Sequence, residues 1–531
     1  MSVAQYHIRS CSSLCSARRV GRLRHCENVV RTAYESRARG FCTHRTTDQA
    51  SSRPVSASSG GIGNTMLAGL KKAFTKEPSE SVEQGAPSSF TDSGVSWDDL
   101  QQKVQQRQAE LQWETPDLEN GPANARALKR SFGKGSKPVL KLYRDHAAWC
   151  PYCQKVWIQL EEKQIPYEIE KINMRCYGDK PAAYTAKVPS GLLPAMELDG
   201  ELYTESDLIM QVLEERFPEK PLMPSKGTPG YHRAQKLLRL ERQMFGVWLQ
   251  WLCRSWSHKV SMDTFMDTME QVNAELDVDG GPFFLGKELS LVDCVFAPFL
   301  ERIVASIPYY KGVRLRGEGR FPNLERWFEA MEKKPSYLGT RSDFFTHVHD
   351  LPPQLGGCVS VKEARPMADA IDGDDGVSWH LPLPSLDASS LEPYSPGEEP
   401  EMDRLRAVQR LVENHEAVTK FAARGCGQQG SPPVNAPLSD PYAKPGMQHL
   451  AAVDAGLRHV ALALLDGPEA AAKTLHAGMN SAANGNAMPG APVCASAAYL
   501  RNRVGVPRDL PLPAARQLRA HLNWLIDELR N

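Results

Sequence analysis

HAAWCPYCQKVW, His146 to Trp157, sets two cysteines three positions apart where a strand pattern meets a helix pattern. Before it, PVLKLYRDH reads as a short strand. After it, CPYCQKVWIQLEEKQI carries Val156, Ile158, Leu160 and Ile165 and reads as an amphipathic helix entered directly from the motif. A Cys-x-x-Cys pair suits a zinc knuckle, a structural disulfide, or a redox nucleophile with its resolving partner.

The flanking sequence narrows that choice. PYEIEKINM is a second strand; after a loop and a helix, LLPAMELDGELYTESDLIMQVLEERF reads as strand, Asp-Gly turn, strand and helix. The order β-α-β-α-β-β-α over 138–224 is that of the thioredoxin fold, a mixed sheet with helices on both faces. From 230 to 352 only helical patterns follow. They include RAQKLLRLERQMFGVWLQWLCRSW, with Phe245, Trp248, Trp251 and Trp256 at helical spacing, which reads as a core stripe, the alternative being the lining of an acceptor pocket for a hydrophobic co-substrate. They also include SLVDCVFAPFLERIVASI, with Ser290 and Asp293 placed as a capping box. Residues 353–400 are Pro-, Ser- and Asp-rich and read as a linker, and 401–531 as a helical extension without a cluster of reactive side chains. Upstream, 56–137 reads as a linker with one loosely attached, Gln-rich helix capped by Ser96.

Composition excludes several function classes. The 531 residues hold 63 basic and 63 acidic side chains, without the basic excess that nucleic acid would demand. The longest apolar runs, such as VALALL at Val460 to Leu465, fall far short of the roughly 18 residues of a membrane span. Residues 1–55 are Arg- and Ser-rich, with Arg18, Arg19, Arg22 and Arg24 among them, lack Lys, and carry few acids. That is the composition of a transit peptide, with the chloroplast as destination and the mitochondrion as the alternative. Without a secretory signal there is no reason for a disulfide framework. The cysteines beyond the leader are scattered apart from the one pair, and no second Cys-x-x-Cys or His-x-x-x-His follows to complete four zinc ligands.

Redox chemistry remains. Cys150 lies at the strand-to-helix junction, where free amides and the positive helix end favour thiolate over thiol. Cys153, one turn inside, is shielded. Cys150 therefore attacks and Cys153 is placed to resolve a mixed disulfide, with Lys155 adding positive field. Pro194, expected as a cis proline, would expose the backbone of Leu193 to a peptide-like substrate.

From about Pro138 to Tyr337 the chain resembles the glutathione transferase superfamily, in its cysteine-type omega, lambda and dehydroascorbate reductase classes. CPYCQKVWI is similar to the lambda-class motif, and to the CPYC of dithiol glutaredoxins. VPSGLLPAMELDGELYTESDLI resembles the family's Asn-Pro-x-Gly-x-Val-Pro segment and its Glu-Ser pair, with Val188 in place of Asn. GGPFFLGKELSLVDCVFAPFL and FPNLERWFEAMEKKPSY look like the two best-marked helices of the family's C-terminal domain. The resemblance implies an α/β thioredoxin-fold domain followed by an all-α glutathione transferase domain. It also implies glutathione as co-substrate, no metal, and a homodimer. Glu205 and Ser206 would hold the γ-glutamyl group, Leu193 before Pro194 the cysteinyl backbone, and Lys180 the glycine carboxylate.

The function so implied is a glutathione-dependent thiol transferase or reductase acting on a small-molecule or protein disulfide, with Cys150 passing through a mixed disulfide. The alternatives are a transferase that conjugates glutathione to electrophiles, and a non-catalytic protein of the same fold that binds or assembles partners. Cysteine in place of the Ser or Tyr used for conjugation disfavours the former. The series Cys294 and Cys426 reads as packing and turn residues.

Overall fold

The computed structural model describes residues 88–531, apart from 93, 136, 175, 256–257, 433, 435 and 482–486. The expected transit peptide, the first part of the upstream linker and Trp256 lie outside the described residues. Helix α1 (Trp97–Glu110) comes first, followed by a five-stranded sheet of β1 (Lys129–Arg130), β2 (Leu140–Asp145), β3 (Tyr167–Ile172), β4 (Ala195–Leu198) and β5 (Glu201–Thr204). The strand order is β1-β3-β2-β4-β5. Strand β2 runs parallel to β3, with Leu142 opposite Ile169, and antiparallel to β4, with Leu142 opposite Met196. Helices α2 (Pro151–Lys163), α3 (Ala182–Lys187) and α4 (Ser206–Arg216) alternate with these strands. Strand β2 is buried at every position but Lys141. A central strand covered on both faces needs such a run.

The α/β domain is a thioredoxin fold, and an all-helical domain follows it. Its helices are α5 (Pro229–Cys253), α6 (His258–Glu275), α7 (Leu291–Lys311), α8 (Pro322–Met331), α9 (Pro335–Leu338), α10 (Phe344–Leu355) and α11 (Arg365–Asp372). Helix α7 is the axis of this domain, buried on nearly every side. Its start is the Ser290–Asp293 capping box, and the buried Asp293 also accepts from Phe284 N (3.1 Å) and Trp327 Nε1 (2.9 Å).

Stretches with linker composition prove to be packed. Strand β1 lies within 56–137 and extends the sheet; its Arg130 is buried against Glu161 at 2.8 Å and donates to the carbonyls of Leu118 and Gly121. Residues 353–400 contain α11 and bury Ile371, Trp379, Leu386 and Tyr394. Proline here shapes an ordered path anchored by those four buried side chains. Helix α10 also escapes a sequence reading, because Pro352 and Pro353 sit inside it and mimic a helix stop.

The extension comprises α12 (Pro400–Glu413), α13 (His415–Ala422), α14 (Leu450–Asp466), α15 (Pro468–Ser481), α16 (Gly490–Arg501) and α17 (Leu512–Arg530). It forms a second hydrophobic core that includes Phe90, Leu100 and Val104 from the other side of the sheet domain. Helix α1 is therefore not loosely attached. Leu100 and Val104, four apart, make a narrow but fully buried stripe, and Trp97 Nε1 donates to Asp454 Oδ1 at 2.8 Å. Ser88 N also donates to Leu529 O at 2.6 Å. Chain from before and after the transferase-like region thus closes one helical body.

That body is joined to the first core through buried charge. Arg519 of α17 pairs with Asp343 at 2.6 Å, both side chains at most 2% exposed, and stacks over Phe345 and Trp379. Removing one partner of a buried pair leaves the other charge uncompensated, at a cost of roughly 3–5 kcal/mol. Arg519→Ala is accordingly expected to lower unfolding free energy by about that amount in denaturant titration. A loss below about 1 kcal/mol, typical of exposed pairs, would contradict this role.

Candidate functional site

Strand β2 ends in Asp145, and the chain turns through Ala148, at a positive φ of 55°, before α2 starts at Pro151 with Cys150 as its capping residue. Asp145 Oδ2 accepts the backbone N–H of Trp149 at 2.6 Å and of Cys150 at 3.0 Å. These are amides a helix start leaves unpaired, so the buried carboxylate fixes the loop and with it the position of Cys150. Cys150 is half-buried, whereas Cys153 is 1% exposed. Burial pushes the Cys153 thiol well above its ordinary range, and the neighbouring Cys150 and Asp145 add to the rise.

One oxygen of Asp145 and the two sulfurs lie within 4.8 Å of one another. Among the described residues this is the one group of three such donors gathered that closely. It stands one donor short of a structural zinc set, and Asp145 is already engaged by two amides.

Beneath the loop lies a buried polar layer. Arg302 of α7 donates to the carbonyls of Trp149 and Pro298 and to Gln154 Oε1, its guanidinium 4.7 Å from the Trp149 ring centre. Trp149 Nε1 donates to His347 Nδ1 at 3.0 Å. Burial and then Arg302 hold His347 well below its ordinary range, so the ring is neutral and its other nitrogen carries the proton facing Glu301 Oε2 at 3.2 Å. Gln154 Nε2 donates to Glu301 Oε1 at 2.8 Å, and burial pushes Glu301 up to about 7.

The residues expected to contact glutathione surround this turn. The Leu193–Pro194 peptide is cis, and Tyr184 Oη holds the carbonyl of Leu192. Glu205 adopts φ 75°, a conformation that side chains seldom take without a demand from their surroundings, and Ser206 opens α4 as a buried residue. Lys155, buried on α2, pairs with Asp207 and so ties that helix start to the cysteine helix. Lys180 Nζ donates to Asn173 O at 2.9 Å. Its proton affinity is lowered by burial and partly restored by the nearby Cys150, Cys153 and Asp145. Val188 is buried beside Tyr184 in a small cluster under the sheet.

A second wall is aromatic. Tyr152 meets Phe299 edge-on at 5.8 Å, Phe299 meets Phe245 at 5.1 Å, and Arg242 lies over both phenylalanines. Trp248 and Trp251 are buried core residues, as their spacing suggests. Cys294 is fully buried and Cys426 Sγ bonds Ala423 O at a turn.

The extension also reaches the site. Tyr442 Oη donates to Asp179 Oδ1 at 3.3 Å, next to Lys180. His146, first residue of the motif, stacks edge-on against Tyr177 at 5.2 Å and is held down at about 4 by burial and then by Arg508. Tyr177 Oη in turn donates to Asp350 at 2.9 Å.

Asp145, His347, Glu301 and Arg302 escape a sequence reading. Asp145 had a signal, a carboxylate closing an otherwise apolar strand directly before the motif. His347 had none, since 198 positions separate it from Trp149.

Comparison with known proteins accords with this geometry. Residues 149–216 match the family model described as Glutathione S-transferase, N-terminal domain, and residues 240–330 the one described as Glutathione S-transferase, C-terminal domain. Glutathione S-transferase DHAR2 of Arabidopsis thaliana is 32% identical over 193 residues, 36% of this chain and 84% of that relative. Pyrimidodiazepine synthase of Drosophila melanogaster is 31% identical over 205 residues, 38% of this chain and 79% of that relative. The crystal structure of Chlamydomonas reinhardtii dehydroascorbate reductase is 25% identical with a TM-score of 0.31, covering 38% of this chain and 92% of that one.

Glu301 supplies a pH test of the buried layer. The folded state holds its proton more tightly than the unfolded chain between about 4.5 and about 7. Its stabilising contribution is therefore full below the lower value and lost as pH rises through the upper one. Across that window the protein is expected to lose on the order of 3 kcal/mol relative to Glu301→Gln. Parallel pH profiles of unfolding for the two proteins would contradict the assignment.

Proposed function

Because this chain belongs to the glutathione S-transferase superfamily, we propose that it is a glutathione-dependent thiol transferase or reductase with Cys150 as nucleophile. The observation that carries the reading is the position of Cys150. It caps a helix start, its amide is held by Asp145, and it lies beside a thiol too deeply buried to compete for the first attack.

Cys150 thiolate attacks the glutathionyl sulfur of a mixed disulfide, whose S–S bond breaks and releases the substrate thiolate. A second glutathione thiolate then attacks glutathionyl-Cys150, freeing glutathione disulfide and restoring the thiolate. Glu205, Ser206 and the start of α4 hold the γ-glutamyl end, with the backbone of Leu193 before Pro194 on the cysteinyl part and Lys180 on the glycine carboxylate. The half-exposed Tyr152, with Phe245 and Phe299, offers an apolar edge to the acceptor. The burial of Cys153 and its raised proton affinity favour the monothiol route over resolution by Cys153. The Arg- and Ser-rich leader supports an organellar, plastid destination.

With a glutathionylated peptide and glutathione as substrates, Cys150→Ser should fall to the uncatalysed rate, while Cys153→Ser should keep its rate within a few-fold. Activity surviving in Cys150→Ser would overturn the assignment, and its loss in Cys153→Ser would make the dithiol step obligatory. Turnover of a chloroaromatic electrophile with negligible thiol transfer would instead favour conjugation.

A further inference from the structure

A second pair of thiols lies away from Cys150. Cys253 is the last residue of α5, and Cys358 follows α10 on the segment that leads to α11. That segment is clamped where it passes Cys253. Val359 N donates to Leu252 O at 2.9 Å, Lys311 Nζ donates to Val359 O at 2.6 Å, and Val361 N donates to Tyr310 O at 2.9 Å. Both thiols are free, half-buried, and packed against the rim of the same core. The Val359–Leu252 bond sets Cys358 and Cys253, the next residue on each side, beside one another. Residues 253 and 358 are thus held side by side, the adjacency from which a disulfide can form.

We propose that Cys253 and Cys358 are a second dithiol redox site, oxidised by a low-molecular-weight disulfide such as glutathione disulfide. The pair is chemically asymmetric. The neighbouring Cys358, with Lys311 and Arg254, favours the Cys253 thiolate, while Cys358 beside it holds its proton more tightly. Cys253 thiolate attacks one sulfur of glutathione disulfide, the S–S bond breaks, and the first glutathione thiolate leaves with the electron pair. Cys358, giving up its proton, then attacks the Cys253 sulfur and expels the second glutathione thiolate. Two protein thiols become one disulfide, one glutathione disulfide becomes two glutathiones, and the protons of the two cysteines end on those thiols. The bond would tie α5, which carries Arg242 and Phe245 of the aromatic wall, to the chain leaving α10, which carries His347 behind Trp149. Oxidation at the rim would thereby restrain two elements that shape the site.

The test uses the full chain carrying Cys150→Ser, so that the reaction proposed for Cys150 plays no part and failure here leaves that reading standing. The folded protein is incubated with glutathione disulfide, alkylated, and mapped as non-reduced peptides by mass spectrometry. A linked Cys253–Cys358 peptide is expected, with two fewer alkylatable thiols. Adding Cys358→Ser should halt the reaction at glutathionylated Cys253. Recovery of both cysteines in alkylated form, a glutathione adduct persisting on Cys253 while Cys358 is present, or an adduct formed first on Cys358 would each overturn the proposal.

Discussion

The carboxylate of Asp145 sets the constraint on which the site depends. A helix that begins beneath a protein surface exposes amides that burial makes costly, and Asp145 satisfies two of them at the turn between β2 and α2. Once that turn is pinned, Trp149 must bury its carbonyl and its indole N–H in the interior. Arg302 takes the first and His347 the second. Each added partner brings its own unsatisfied group, so Gln154 and Glu301 follow. A polar layer of this kind is stable only when nearly every member is satisfied, which makes the cysteine turn rigid from below while its upper side stays accessible.

The same logic explains why the protein is larger than a two-domain transferase fold. His347 and Asp350 stand on α10, beyond the helices that resemble the family, and α10 is capped by Asp343, whose charge is met by Arg519 at the far end of the chain. The extension is therefore joined by buried charge to the helix that supports the cysteine turn. Its core is completed by α1 from the other side of the sheet domain, so the transferase region is inserted between two parts of one helical body. Ends of a domain that lie close together make such an insertion feasible.

Composition was a poor guide to order in the connecting segments. The path around Trp379 is rich in Pro, Ser and Asp, yet Asn523 holds the Trp379 carbonyl at 2.9 Å and Arg341 holds that of Pro393 at 2.9 Å. A few apolar anchors and long-range bonds to carbonyls suffice to order a segment that lacks periodicity. For α1, two residues, Leu100 and Val104, carry the packing, and a sequence window averages them against the Gln-rich faces around them.

By itself the sequence determined the local elements and their order. Period-two and period-3.6 patterns, the Asp-Gly turn, the Ser290–Asp293 box and the Cys-x-x-Cys at a strand-to-helix junction are all local, because spacing along the chain dictates which side chains share a face. Tertiary structure alone decided the neighbours. The thiol of Cys358 comes to Cys253, His347 to Trp149 and Arg519 to Asp343 across more than a hundred residues, and no local pattern encodes such meetings. They arise because buried polar and charged groups must find partners, and only the folded packing shows which distant residue supplies each one.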